Sequence, residues 1–517
     1  MTFPISALSW IKLVGYLVVF FAIKRIYYEL AAGAARRAII KENGCEPVYH
    51  WRHQGILGKL LGLDLIQQQL KDNKLGRINE GIRQRLFAER NTIQTTSLGT
   101  ELIQTAEPEI VKTMLSTKFH DFELTPRRVD AIVPSLGHGI FASNGAAWER
   151  SRALIRPSFT KTQVADLDTF ETHIQHFISA ISRDGSTVDL QPLFFSLTMD
   201  SATEFLFGRS TACLAPGLKT QSASEFVKAF EYCTKSILME MRTAGLSRWI
   251  PDRRWHKSKN IVHAFADSII REETIRLNPA DIEKSAKPGT ASGKERYVFL
   301  HELIKQSQDP DTLRSELLNI LLAGRDTTAG LLANTWHTIA RRPDIWAKLR
   351  AEVDTLMGEA PTYAQIKDMK YLRWVLNESL RLIPIVPANG RVAVRDTVIP
   401  VGGGADGKAP VFVPKGSIVV YHAWTFHKRK DLYGEDADEF RPERWEKLRL
   451  GWEYLPFNGG PRICVGQQYA LTEASYATIR LMQAFSRIEP RDERQWCESS
   501  SLTLASGVGC KVALFES

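Results

Sequence analysis

The chain has 517 residues, 44% of them hydrophobic and 24% charged, with a formal net charge of +9. That is the balance of an ordinary globular chain with an ample core. Residues 1–60 hold eight Lys or Arg and three Glu, so five of the nine excess positive charges sit at the N-terminus and nucleic acid is a poor explanation for them.

The cysteines (Cys45, Cys213, Cys233, Cys464, Cys497 and Cys510) lie far apart with no Cys-x-x-Cys spacing. This argues against a zinc site or a disulfide framework and points to a reducing compartment. Length alone suggests about three domains, yet no Ser, Gly or Pro linker divides the chain after about residue 50, so it reads as one large domain.

Ala7 to Ile23 is an almost unbroken apolar run, long enough for a transmembrane helix if Lys12 snorkels. Lys24, Arg25, Arg36, Arg37 and Lys41 follow it, and the positive-inside rule then leaves everything downstream in the cytosol. The alternative is a cleaved signal peptide with Ala31 to Ala35 as its small-residue cleavage region. The expected division is an anchor over residues 1–30, a hinge over 31–50 containing Pro47, and a catalytic domain over 51–517.

His120 to Asn144 holds Pro126, Pro134, Gly137 and Gly139 and reads as a loop. In the helical stretch after it, Trp148 and Arg152 are four apart, share one face and can meet one ligand. Residues 222–260 are helical, ending in a turn where Trp249, Ile250 and Trp255 stand among Arg248, Arg253, Arg254 and Lys257. That turn suits a membrane interface or, alternatively, an ordinary solvated basic surface. Ser285 to Lys294 is a polar surface loop.

Asp309-Pro310 caps the longest predicted helix, which runs to Arg341-Arg342 before Pro343, about 45 Å at 1.5 Å per residue. Its middle, Ala323-Gly324-Arg325-Asp326-Thr327-Thr328, places a glycine, two charges and two hydroxyls in an apolar stretch, where unpaired polar groups are costly. Such local conflict marks function. Gly324 lets a flat ligand approach, and Thr327 can bond into the backbone and open the helix for a water. Met369 to Arg381 is a further helix, stopped by Pro384, with Glu378 and Arg381 on one face. Val392 to Val420 alternates enough to form strands of a small sheet.

Phe457 to Gly466 is an irregular loop, since Gly459, Gly460 and Pro461 cannot continue a helix or a central strand. It presents Cys464 at the start of a helix, where the dipole and free N–H groups stabilise a thiolate suited to a metal.

Phe457, Gly460, Arg462, Cys464 and Gly466 match Phe-x-x-Gly-x-Arg-x-Cys-x-Gly, and with this loop the chain resembles the cytochromes P450, the haem-thiolate monooxygenases. The resemblance implies a mainly α fold with a small β region, preceded here by an N-terminal transmembrane helix. It implies haem b with the Cys464 thiolate as axial ligand, a ligand that pushes electron density toward O–O cleavage. Phe457 and Gly460 would lie at the haem, Gly466 would let the helix start pack closely, and Arg462, Trp148 and Arg152 would hold propionates. Gly324 would border the oxygen site, with Asp326 and Thr327 delivering protons. Glu378, Arg381 and Arg444 would form a buried structural triad, and the loop before Trp148 would cover the distal pocket.

No Gly-x-Gly-x-x-Gly follows a strand, so electrons are expected from a separate NADPH–cytochrome P450 reductase at the endoplasmic reticulum membrane. The segments around Thr327, Cys464 and Thr472 resemble fungal P450s that hydroxylate alkanes and fatty acids, so a small hydrophobic substrate is implied. Related enzymes that oxidise secondary-metabolite intermediates are the alternative. A non-catalytic membrane haem protein has no need of Asp326-Thr327.

Overall fold

A computed structural model describes residues 7–160, 167–215, 217–243, 245–277, 297–449 and 451–516. The polar segment Ser285–Lys294 lies outside them. Helix α1 (Ala7–Glu42) runs without a break through much of the predicted hinge. Among the described residues no helix is long and apolar enough to cross a membrane. The rest of the predicted hinge is laced to the catalytic part. Arg36 pairs with Asp396 at 2.9 Å, Glu46 N–H donates to Pro410 O and Gly404 N–H to Pro47 O.

The mixed sheet has the order β1-β2-β8-β5-β3. Strands β1 (Thr92–Ser97) and β2 (Thr100–Thr105) form a hairpin, and β3 is Phe122–Glu123. β2 runs parallel to β8 (Ile418–Tyr421), while β5 (Asn389–Ala393) pairs antiparallel with β8 and with β3. This ladder fixes Arg391 on β5 and Tyr421 at the end of β8. Strands β6 (Thr397–Gly403) and β7 (Ala409–Val413) form the hairpin that receives the chain after α1.

The stretch read as a loop before Trp148 contains helix α2 (Pro126–Leu136). Thr125 accepts the Arg128 N–H as its cap and Pro126 takes the first turn, where a missing N–H costs nothing. The two prolines were read as breakers, and one of them is a start. The true loop, 137–144, lies on the long helix. A Cβ on Gly139 would come within 2.4 Å of the Asn319 side chain, and Asn319 also holds Leu136 O and Phe141 N–H. Helix α3 (Gly145–Ile155) carries Trp148 and Arg152.

Helices α4 (Leu190–Phe207), α5 (Gln221–Arg242) and α6 (Arg253–Arg276) pack around the first half of α7 (Pro310–Ile339), the long helix. Asp309 caps α7 by accepting the Thr312 N–H at 3.0 Å. Leu313 to Leu322 join one hydrophobic cluster with α2 and α4–α6, whereas Ala329 to Ala340 join another with α8 (Lys370–Leu382) and α9 (Gln467–Ala484). Residues 323–328 belong to neither cluster. The polar motif therefore sits where the two apolar cores meet.

Between α5 and α6 the chain exposes a short apolar tip, with Trp249 84% and Ile250 71% accessible. Trp255 is not part of that surface. It starts helix α6 and turns inward, its Nε1 donating to Ser135 Oγ at 3.1 Å.

Candidate active site

The loop that presents Cys464 is suspended from a buried charge cluster. Glu378 and Arg381 are fully buried, and Arg444 is nearly so. Glu378 accepts Arg381 Nε at 2.9 Å and Nη2 at 2.8 Å, Arg444 Nε at 2.8 Å, Arg441 N–H at 2.9 Å and Trp445 Nε1 at 3.0 Å. Arg381 then donates to the carbonyls of His427, Ala437 and Glu439. Burial, with Arg381 beside it, lowers the His427 pKa to about 3, so its ring is neutral and Nε2 accepts the Leu455 N–H at 2.9 Å. Tyr433 and Tyr454 add hydroxyl ties, from Glu453 O to Tyr433 and from Asn377 O to Tyr454.

Within the loop, Cys464 N–H donates to Phe457 O at 2.9 Å, and Asn458 at φ +64 receives the Tyr421 hydroxyl at 2.7 Å. Gly460 also has φ +64, and a Cβ there would meet Leu115 O at 1.8 Å, so only glycine fits. Phe457 is half-buried against the cluster around α9. Gly466 has an ordinary φ, and a Cβ there would lie 3.5 Å from Phe159, so packing alone does not demand glycine.

Cys464 keeps an open face while protein surrounds its other sides. Accessible area records the open face, whereas the thiol's titration follows the surrounding protein, and this desolvation raises its pKa. The Gly466 N–H and the Arg152 guanidinium act in the opposite direction without prevailing. The helix start expected to favour a thiolate is thus outweighed by burial. A sulfur in this setting becomes a thiolate through a cation bonded to it.

Arg462 crosses the Trp148 ring, with Cζ 4.4 Å from its centroid, and Nη2 donates to Ser143 O and Asn144 Oδ1. Arg152 instead secures the loop, its Nη1 donating to Ile463 O at 3.0 Å. Two residues that sequence reasoning missed stand with Arg462. These are Arg128 of α2 and Arg391 of β5, both donating to Asn389 Oδ1 at 3.1 Å.

Burial and mutual repulsion lower the Arg128 pKa to about 10 and the Arg462 pKa to about 9. Their hydrogen bonds found among the described residues go to amide, carbonyl and phenol oxygens, and with the Glu123 carboxylate acting on Arg462 the three crowded cations stay short of negative charge. The two propionates of a bound haem would supply the negative charge that Arg128, Arg391 and Arg462 lack. Together with the recessed thiol, the donor set fits haem. The signal available in the sequence was Arg391 in a short, half-buried strand segment and Arg128 just behind a capped Thr-Pro.

On α7, residues 315–337 are buried except Ala323, Gly324 and Thr327, which lie at i, i+1 and i+4 and so open one face of the helix. Thr327 Oγ1 donates to Ala323 O at 2.5 Å, and Thr198 of α4 donates to Arg325 O at 2.9 Å. Two carbonyls within one turn, those of Ala323 and Arg325, therefore receive hydroxyls beside the exposed face. A Cβ on Gly324 would lie 3.5 Å from Ala202 Cβ, an ordinary contact, so the position faces α4 and packing alone does not demand glycine there. Asp326 is buried, and burial raises its pKa against the pull of Arg325.

Thr328 stands beside Glu473 of α9, whose carboxyl is pushed by burial to about 8 and is held by Ser201 Oγ. Ile140, Phe141, Val465 and Leu502 are partly buried against the apolar cluster formed with the first half of α7. Among the described residues no group of three His, Cys, Asp or Glu could hold a metal.

A cysteine with an open face, a cluster of arginines short of anions and a long helix bearing an acid and an alcohol are the features that a haem-thiolate oxygenase would require. Residues 77–507 match the family model described as Cytochrome P450. The chain is 43% identical over 473 residues to cytochrome P450 monooxygenase himC of Aspergillus japonicus, covering 91% of this chain and 84% of that protein. It is 42% identical over 489 residues to cytochrome P450 monooxygenase fsdH of Fusarium heterosporum, covering 93% and 85%. Identity to cytochrome P450 52A5 of Candida maltosa is 44% over 437 residues, covering 80% and 81%. The chain belongs to the cytochrome P450 family and is a monooxygenase.

Proposed function

We propose that this monooxygenase inserts one oxygen atom from O2 into a C–H bond of a chain-like hydrophobic substrate, an alkane or a fatty acid. The observation that carries the oxygenase part is the opened face of α7, where Thr327, bonded to Ala323 O, directly follows the buried Asp326 in the chain. Haem, held by Cys464 and by the Arg128, Arg391 and Arg462 cradle, would supply the electron-rich iron at which O2 is activated. Trp148 orients Arg462, and Arg152 steadies the cysteine loop. Thr327 holds a water at Oγ1, and Asp326 renews the proton that the hydroxyl side gives up. Ile140, Phe141 and Leu502 exclude bulk water and suit an apolar guest.

Thr327→Ala is expected to keep a normal haem spectrum and normal NADPH use with the reductase. Product per NADPH should fall by about tenfold or more as oxygen is diverted to hydrogen peroxide. NADPH, peroxide and product measured in one reaction check this, and an unchanged product yield makes Thr327 a packing residue.

The choice of a chain-like substrate rests on the motif resemblance around Thr327 and Cys464. Oxidation of a secondary-metabolite intermediate is the second reading, because the Aspergillus and Candida relatives are equally similar, at 43% and 44%. A spin-state titration with alkanes, fatty acids and polyketide-like ligands separates the two.

The first 30 residues act as a single-pass anchor in the endoplasmic reticulum membrane, residues 31–50 join it to the domain over 51–517, and the domain faces the cytosol and the NADPH–cytochrome P450 reductase. Removing residues 1–30 should release most of the protein from microsomes in a sedimentation assay. Full retention would make the exposed tip of Leu246, Trp249 and Ile250 the principal attachment.

A further inference from the structure

Arg325 is the charge of the long helix that oxygen chemistry leaves without a task. It is 4% exposed, and its guanidinium is divided between two carboxylates. Nη1 donates to Asp326 Oδ1 at 3.1 Å and Nη2 to Glu231 Oε1 at 2.5 Å, while Nε has no hydrogen-bond partner. The Phe195 ring of α4 lies 5.4 Å from Cζ and closes one side. Glu231 belongs to α5, and its side chain is 43% exposed. One buried carboxylate and one surface carboxylate thus compete for a single buried cation.

We propose that Glu231 is a positioning residue for proton delivery: by sharing Arg325 with Asp326, it leaves the Asp326 carboxylate held by one N–H of the guanidinium only, able to take a proton from water and return it on the Thr327 side. The proposal rests on the reading of Asp326 and Thr327 as the proton path. The electrostatics agree, since Glu231 raises the Asp326 pKa while Arg325 lowers it. If Glu231 is lost or α5 moves away, Arg325 turns wholly to Asp326 and holds it as an ion-paired anion, which gives and takes protons slowly. Helix α5 leads directly to the exposed tip at Leu246–Ile250, so the position of that tip can reach the proton path through one guanidinium.

The charges acting on Asp326 are Arg325 from its own helix and Glu231 from α5. From α4, only the Phe195 ring and the Thr198 hydroxyl are seen to reach Arg325. Glu473 of α9 faces Ser201 and Thr328, and with its pKa near 8 it is neutral at pH 7 and adds no charge.

The test uses the full-length holoenzyme with its reductase. In Glu231→Gln, the fall in product per NADPH with rising pH should begin about one pH unit lower than in the parent, with peroxide rising to match. The infrared carboxyl band that Asp326→Asn removes should titrate lower by the same amount, a readout independent of turnover. Glu231→Asp should restore both. A merely structural ion pair would change the melting temperature and leave both pH curves in place, and that result overturns the proposal. The controls distinguish the underlying reading: if Asp326→Asn and Thr327→Ala keep full product yield, the proton path itself is wrong. If they uncouple the enzyme and Glu231→Gln leaves both curves unmoved, only the role of Glu231 falls.

Discussion

Cys464→Ser is expected to abolish the red-shifted absorption band of the reduced carbon-monoxide complex, and with it hydroxylation, while leaving the fold intact. The exchange is nearly isosteric, one face of the side chain is open and the loop is held through the backbone. The Cys464 N–H to Phe457 O bond, the Asn458 side chain to Arg462 O and the Arg152 bond to Ile463 O all survive the exchange. A serine hydroxyl keeps the shape and removes the soft sulfur, which alone can serve as the electron-donating ligand. The haem-free protein should therefore unfold within about 0.5 kcal/mol of the parent, as surface substitutions do. A variant that still shows the red-shifted band rejects Cys464 as the ligand, since the structure offers no second sulfur in that loop.

The residues of this loop were legible in the sequence because glycine, proline and cysteine at fixed spacing leave few physical alternatives. The long helix was legible for a related reason. Asp309-Pro310 marks its start, Pro343 its end, and the polar motif interrupts a stretch that is otherwise apolar. What stayed hidden depends on contacts between distant segments. Arg128 and Arg391 are 263 positions apart and meet only through Asn389, and no local period announces such a pair.

Helix α2 was missed because Pro126 reads as a breaker until Thr125 is recognised as its cap. Gly324 faces helix α4, a direction that depends on how two helices cross and is invisible in one chain. The desolvation of Cys464 is hidden for the same reason: a helix start is local, whereas the burial that raises the thiol's pKa comes from the surrounding fold.

Glu378→Ala is expected to prevent accumulation of folded enzyme. The carboxylate accepts five donors, and its loss leaves Arg381 as a buried cation without an anion and Arg444 with Asp436 alone. Breaking a buried pair in this way costs about 3–5 kcal/mol. That is a large part of the roughly 5–15 kcal/mol that holds a folded domain. The damage should travel to the cysteine loop. Arg381 holds His427 O, and the His427 ring in turn holds Leu455 N–H two residues before Phe457.

Glu378→Gln separates charge from shape, because the amide keeps one acceptor and loses the anion, and it should show an intermediate denaturation midpoint with weak haem retention. Replacing Glu378 and Arg381 together by apolar residues should not rescue stability, since the carbonyls of His427 and Ala437 would lose the donor that Arg381 gives them and Arg444 would lose its buried partner. Urea denaturation of the purified variants, followed by haem absorbance and far-UV dichroism, decides the matter. If Glu378→Gln retains the parent midpoint and full haem content, the cluster is not what fixes the loop. The hydroxyl ties of Tyr433 to Glu453 O and of Tyr454 to Asn377 O would then carry it instead.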